Sequence, residues 1–507
     1  MRNIASWKIS IFLIFILAIV LRFLYFPDNI YFGFDQARDA FVSQEIFKGD
    51  LKIVGPPTGV DGWFHGPLYY YFYAPIYAFS SGNPEYVAAF LRIDNAFGIF
   101  LVFLIGMIIF NKWVGLISAF LFAISFEQTQ YALYFNHPSL AVLSILIYYL
   151  GLSLLFFKKK QIGLIITFLG LGLSLQFEFV LIYLFLTSVV MFLTFRKLIP
   201  KIDKRILLES IGIFILTTLT FIVAEIKFQF RSVSILLSFF SSLGNSGAGI
   251  NKILANINLI SQRLISDNLI NHQIGVLLFI ILVLILFFKV SKIRPKLIFL
   301  IIWFISGSLP FLNNKSQTPL YYYSVGASVS ILIIYAFIIK EIFLKHKIIA
   351  LILLMIPIIS NINLILSQNK FGSMVTINVQ SGMLLSDEKK VIDYIYNKSK
   401  GKFFAVNAVT MPLNVNTTWS YLFEWYGIQK YGFIPIWGGD TAFGYPGGLK
   451  ILKIRSDLPQ QQFLIIEPTR GIRTSLISNM LQEESYFTKI IDEEKIGEFI
   501  VQTRQKI

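Results

Sequence analysis

Two short stretches carry side chains able to move a group off a phosphate. Phe34-Asp35-Gln36-Ala37-Arg38-Asp39 sets Asp35, Arg38 and Asp39 at i, i+3 and i+4, and Phe64-His65-Gly66-Pro67-Leu68 follows in the same loop. An alcohol is a poor nucleophile without a positioned base, and the Asp35 carboxylate can serve as one. The forked donors of Arg38 match a phosphate, and His65 adds a second contact to the charge that a departing phosphate gains. The spacing puts the three charges on one face of a short amphipathic helix lying on a membrane, with Ala37, Ala40, Phe41 and Phe47 as its apolar stripe. It equally allows Asp35 as a helix N-cap, Arg38 paired with Asp39 in solvent, and His65 without a role.

Further polar groups stand at the ends of apolar runs. Gln176 and Glu178 fall where two runs meet, Glu225 and Lys227 end another, and Asn136-His137-Pro138 opens one. An ionisable group inside a span costs about 2.5 to 3.5 kcal/mol on insertion scales, so its presence asks for a partner or a purpose. Placement at the interface, helix capping with Pro in the first turn, and an aromatic belt at Tyr321-Tyr322-Tyr323 are the plainer readings. Asp39, Asn136, His137, Gln176, Glu178, Glu225 and Tyr322 are supporting candidates on this basis.

The elements that must position these residues are apolar. Of the 507 residues 56% are hydrophobic, and mean hydropathy is +0.69. Runs suited to a hydrocarbon core of about 30 Å recur from Ile9 to Leu366. The expected spans are Ile9–Phe26, uncleaved because no small-residue site precedes Arg22, then Tyr86–Phe110, Val114–Phe126, Pro138–Phe157, Ile162–Gln176, Phe179–Phe195 and Ile206–Ala224. Ile274–Phe288, Leu297–Leu312, Leu320–Ile339 and Ile348–Leu366 bring the count to about eleven. There is no cysteine, which excludes disulfides, thiolate metal sites and a thiol nucleophile. The net charge of +16 sits in short loops between apolar runs, the positive-inside pattern, and does not indicate nucleic acid.

Those loops also set the topology. With the amino terminus cytoplasmic and Leu68–Phe79 not crossing, the loops holding Lys112, Lys158 to Lys160, Arg196 to Arg205, Lys289 to Lys296 and Lys340 to Lys347 all fall inside. Leu68–Phe79, with five tyrosines around Pro75, then reads as a re-entrant or interfacial helix. Asp35, His65, Asn136, Glu225 and the carboxy-terminal segment share the outer face of the cell membrane.

After Leu366 no further spanning run occurs, and residues 367–507 read as a small extracytoplasmic α/β unit beside a membrane core of residues 1–366, whose catalytic first outer loop is 27–66. Ser386 starts a helix through Tyr396, and Phe403–Val406, Phe463–Ile466 and Phe499–Val501 read as strands. Trp419, Tyr421, Trp425 and Tyr426 precede a glycine-rich loop bearing Trp437, Asp440, Phe443 and Tyr445. Aromatic faces beside a carboxylate suit an acceptor sugar, which makes Trp437 and Asp440 acceptor-side candidates, although the core of a small domain explains the aromatics as well.

Together these features resemble the multi-spanning glycosyltransferases that use polyprenyl-phosphate sugars (the GT-C superfamily), which include protein O-mannosyltransferases and the aminoarabinose transferases of lipid A. The resemblance covers the order of elements and is most specific at Asp-x-x-Arg, met by Asp35 and Arg38, and at a His/Lys-Pro-Pro-Leu element, met as His65-Gly66-Pro67-Leu68. Gly66 replaces the first proline, and Gln36 stands where many relatives carry a second acid. Asn136-His137-Pro138 looks like the polar corner of relatives, while Gln176 to Phe179 and Phe221 to Phe230 with Glu225 look like corners of bacterial mannosyltransferase-like members. The resemblance implies inverting sugar transfer from a lipid-phosphate donor to a hydroxyl of a protein, lipid or glycan, and it leaves a divalent metal open. The transition state is oxocarbenium-like, which suits Asp35 as base. A polytopic transporter or lipid flippase would instead place its polar residues at mid-span in two matching halves, and this chain does not. A non-catalytic glycan-binding membrane protein is the remaining alternative.

Overall fold

The computed structural model describes residues 2–58, 62–231, 234, 250–270, 275–277, 279–281, 283–284, 291–312, 320–373, 380–452, 454–468 and 471–507. Asp61 and much of the expected Ile274–Phe288 span lie outside the described residues.

Helices dominate the first part of the chain. They are α1 (Arg2–Arg22), α2 (Phe34–Phe47), α3 (Leu68–Phe79), α4 (Pro84–Ile109), α5 (Lys112–Ile124), α6 (Phe126–Leu133), α7 (Pro138–Phe157), α8 (Ile162–Phe177), α9 (Tyr183–Thr194) and α10 (Lys204–Lys227). Helices Ile250–Ser266, Arg294–Ser306, Ser328–Phe343 and Lys347–Gln368 follow. Within the described residues, four helices are long and apolar enough to cross a membrane: α4, α7, α10 and Lys347–Phe371. Lys112–Ile124, Ile162–Phe177 and Phe179–Thr194 are apolar but shorter. The expected count of about eleven spans is therefore not established: several apolar runs break into a helix plus a 3-10 turn, as at Phe179–Ile182, Leu309–Leu312 and Tyr321–Ser324.

Small residues let the central helices approach closely. A Cβ on Gly163 would lie 2.7 Å from Leu155 N, and one on Gly170 would lie 2.6 Å from Tyr148 Cα. Side chains at these positions would push α7 and α8 apart, so the glycines set the pair that carries two site residues at its ends.

Two buried guanidiniums fix the start of the first loop. Arg22 Nε donates to Asn95 Oδ1 at 2.7 Å, and Arg22 Nη1 donates to Ala123 O at 3.1 Å. Arg92 Nη2 donates to Asn29 Oδ1 at 2.9 Å and Arg92 Nε to Arg22 O at 3.1 Å. Neither side chain has a carboxylate partner among the described ion pairs; carbonyls and amides take their donors instead. This ties α1, α4 and α5 to the chain that leads into α2.

The carboxy-terminal unit holds a five-stranded sheet of order β2-β1-β3-β5-β4, with β1 (Ala405–Val409), β2 (Ile436–Trp437), β3 (Gln461–Ile466), β4 (Thr488–Ile496) and β5 (Phe499–Lys506). β1 runs parallel to β2 and β3, while β5 pairs antiparallel with β3 and β4. The helix expected from Ser386 forms as Leu385–Ser399, but Ser386 is not its cap; its Oγ donates to Asp28 O at 3.1 Å. The unit interlocks with the first loop. Phe32 N donates to Met383 O at 3.0 Å, Leu385 N to Ile30 O at 2.9 Å, and Tyr421 OH to Gly82 O at 2.6 Å.

That docking corrects the picture of α2 as a helix lying on a membrane. Ala37 and Ala40 are fully buried, Phe41 packs edge-on against Tyr421 at 5.1 Å, and Phe47 turns outward with 59% exposure. The apolar stripe packs against α3 and the carboxy-terminal unit.

Candidate functional site

A cavity opens where the first loop, the helix ends and the carboxy-terminal unit meet. It measures about 500 Å³, and Asp35, Arg38, His65, Asn136, His137, Glu178 and Tyr322 all line it. Residues distant in sequence converge because α7 starts here and α8 ends here, so one antiparallel pair supplies both His137 and Glu178. The Lys158–Lys160 turn lies a full 20-residue helix away, about 30 Å along α7. Lys112 over the Trp7 ring and Lys296 over the Phe110 ring belong to that distant end.

The first turn of α2 positions the acid and the guanidinium. Gly33 is the N-cap, and the cap bond comes from the third helical residue: Gly33 N donates to Gln36 Oε1 at 3.0 Å. Asp35 does not cap the helix, so its carboxylate is left for the cavity, with half of the side chain exposed. Gln36 Nε2 also donates to Phe135 O at 2.7 Å. A glutamate could not make that second bond, which accounts physically for the amide at this position.

Arg38 lies between two carboxylates. Its Nη1 donates to Asp35 Oδ1 at 2.7 Å, while Nη2 and Nε reach Asp39 Oδ1 at 2.7 and 2.8 Å. Asp39 is buried behind Arg38, accepts a further bond from Tyr70 OH at 3.3 Å, and is not part of the cavity wall. Burial pushes the Asp39 carboxyl up to about 6, against the pull of Arg38.

His65 sits on a short backbone ladder, with Gly55 N donating to His65 O at 2.8 Å and His65 N to Pro56 O at 2.9 Å. Gly66 has a steric origin: a Cβ there would lie 2.7 Å from Gln176 Cα. Gln176 itself faces α10, donating to Thr217 O at 2.9 Å and Thr220 Oγ1 at 2.8 Å, and supports the His65 turn from behind. Burial, with Arg38 nearby, lowers the His65 imidazole to about 3, so it is neutral at physiological pH.

His65, His137 and Glu178 form one buried group. Their rings and carboxylate are close: the two imidazole centroids are 4.1 Å apart, Glu178 Oε1 is 3.6 Å from His65 Nδ1, and Oε2 is 3.8 Å from His137 Nδ1. His137 Nδ1 bonds to the Phe177 carbonyl, and Val180 N donates to Glu178 Oε1 at 3.2 Å. Burial raises the Glu178 carboxyl to about 8. Asn136 Oδ1 accepts from His137 N at 2.8 Å, and Tyr322 stacks obliquely on Tyr134 at 5.8 Å.

Other expected residues lie elsewhere. Glu225 lines a separate cavity of about 140 Å³ with Phe64, Phe221 and Phe228, on the far side of His65. Trp437 is 1% exposed in the core of the carboxy-terminal unit, and Asp440 is exposed on its surface; neither lines the larger cavity. Trp419, Tyr421 and Trp425 are likewise buried. The sequence reading missed the cavity roof of Gln380, Met411 and Pro412. Gln380 Nε2 donates to the buried Glu467 Oε2 at 2.6 Å, Met411 N to the same oxygen at 3.0 Å, and Trp419 Nε1 to Oε1 at 3.0 Å. An acid placed directly after the apolar run of β3 was the available signal.

No family model matches the chain, and no curated protein matches it. Solved structures do. ArnT from Cupriavidus metallidurans bound to undecaprenyl phosphate superposes with a TM-score of 0.61 at 10% identity over 98% of each chain. Its apo state gives a TM-score of 0.51 at 12% identity, covering 99% of this chain and 98% of that one. The archaeal oligosaccharyltransferase AglB from Archaeoglobus fulgidus, in complex with an inhibitory peptide and a dolichol-phosphate, covers 79% of this chain and 62% of that chain at 12% identity, with a TM-score of 0.46. The chain has the ArnT fold along essentially its whole length.

Proposed function

We propose that this protein is a membrane glycosyltransferase that moves a sugar from a polyprenyl-phosphate donor to a hydroxyl acceptor, with inversion at the anomeric carbon. The observation that carries the reading is the Asp35–Arg38 pair, joined at 2.7 Å on the wall of one cavity. The acceptor oxygen attacks the anomeric carbon as the bond to the phosphate oxygen breaks; Asp35 takes the hydroxyl proton, and the phosphate leaves with the bonding electrons. Arg38 donates to that phosphate, while Asp39 keeps hold of the other edge of the guanidinium. In the resting site Arg38 occupies Asp35; an arriving phosphate competes for Nη1 and frees the base. His65 supplies the second phosphate contact, and Asn136 and Tyr322 shape the wall.

Two further features support this reading. The ArnT structure that shares the fold holds undecaprenyl phosphate. The long apolar helices α4, α7 and α10 would give a prenyl tail apolar surface to lie on, where burial contributes about 0.8 kcal/mol per methylene. The basic turns lie at the end away from the cavity, which supports a cytoplasmic amino terminus and an extracytoplasmic site and carboxy-terminal unit. The acceptor would enter beneath Gln380, Met411 and Pro412, with Trp437 stabilising that unit from its core and Asp440 at its surface. The test is to supply purified protein with polyprenyl-phosphate sugars and candidate acceptors and to measure release of the lipid phosphate. Release that depends on acceptor supports the proposal; lipid or solute movement in vesicles with no release would favour a transporter.

A further inference from the structure

His65, His137 and Glu178 each offer one ligand atom, and these atoms all lie within 4.8 Å of one another. Two of the chain's four histidines thus meet at one carboxylate, although the three residues come from a loop and two different helix ends. All three are at least nine-tenths buried. Glu178 Oε2 is fully buried and accepts no hydrogen bond among the described residues, an arrangement that costs free energy unless something else occupies the oxygen.

We propose that this trio is a binding site for a divalent transition-metal ion of the zinc class. Two imidazoles and one carboxylate form a recurrent zinc ligand set that leaves a fourth position open, and all three residues here line the cavity. Bond lengths of about 2.0–2.2 Å need the ligand atoms closer together than they now stand, a change within reach of side-chain torsions. Outer contacts already orient the ligands. The Phe177 carbonyl fixes the His137 ring, and Val180 N–H holds the second oxygen of Glu178. The long 3.3 Å contact from Phe179 N–H to His65 Nδ1 is weak enough for a metal to displace. The site stands on this cluster alone. It does not rest on the transfer reading.

The test uses full-length, tag-free protein in detergent, stripped with a chelator and titrated with Zn²⁺ and with Co²⁺, without donor or acceptor. The chain has no cysteine, so visible Co²⁺ bands report nitrogen and oxygen ligands. Wild type should bind one equivalent and gain thermal stability that chelator reverses, and His137→Ala and Glu178→Gln should each bind more than tenfold more weakly. Failure of the wild type to bind, or binding by both variants as tight as that of the wild type, would overturn the proposal. If the variants do not fold, X-ray absorption on zinc-loaded wild type decides: two imidazoles in the ligand shell support the site, and one or none refutes it. Because sugar transfer is not read, loss of this proposal leaves the transfer reading standing, and the reverse also holds.

Discussion

Arg38 Nη1 donates to Asp35 Oδ1 at 2.7 Å, and this bond joins the proposed base to the proposed holder of the leaving phosphate. The pair spans one helical turn, i to i+3. Half of the Asp35 side chain remains exposed, whereas Asp39, on the other side of the guanidinium, is only 4% exposed. The two acids therefore have different roles on the proposed reading: Asp35 reacts, and Asp39 anchors Arg38.

Arg38→Ala should weaken donor binding and slow turnover together, because the same donors meet the ground-state phosphate and the charge that grows as it leaves. A loss of at least tenfold in kcat/KM, with kcat also falling, is expected from steady-state kinetics. An unchanged kcat with a raised KM would limit Arg38 to ground-state binding.

Gln36→Glu should destabilise the protein. The substitution removes the donor to Phe135 O and leaves a buried carbonyl without its partner, a cost of about 1–3 kcal/mol. Thermal melting in detergent should show a lowered Tm, and an unchanged Tm would mean that water replaces the lost donor.

Glu467 gives the carboxy-terminal unit a pH dependence. Burial raises its carboxyl from 4.5 to about 7, so between those values the folded state binds more protons than the unfolded state. Its contribution to stability is therefore complete below about pH 4.5 and declines as pH rises to about 7, by about 3 kcal/mol in all. Glu467→Gln should flatten the slope of Tm against pH in this window. A slope equal to that of the wild type would assign the dependence to another group.

Topology can be read with single cysteines, since the chain has none of its own. An impermeant reagent should label position 386 in intact cells and leave position 159 in the Lys158–Lys160 turn unlabelled. Labelling of position 159 would reverse the proposed orientation and, with it, the side on which acceptors are met.

Much of the helical core was legible because its boundaries carry strong chemistry. Pro138 and the lysines after Phe157 bound α7 at the expected residues, and Leu68–Phe79 forms the expected separate helix. The helix Ile250–Ser266 was missed because its apolar residues are spaced among Asn, Lys and Gln and form no continuous run. The shared face of Asp35, Arg38 and Asp39 followed from helical spacing, whereas the meeting of His65, His137 and Glu178 depends on how α7 and α8 pack, which no local pattern encodes. Glu225 was grouped with the site because it ends a span at the same level, but the intervening turn at His65 separates it from the cavity. Trp437 shows the limit of composition: an aromatic beside glycines and an acid suits a sugar, yet here it fills a core.

The most direct test of the account is transfer by Asp35→Asn, measured with a polyprenyl-phosphate sugar that the wild type uses, beside donor binding and a melting curve for the same preparation. Asparagine keeps the size of the side chain and an oxygen for Arg38 but cannot take the acceptor proton. The account predicts a loss of transfer of at least 100-fold, an effect of about the size expected of a general base, with donor binding and Tm close to wild type. Turnover near that of the wild type would contradict it and remove Asp35 from the chemistry.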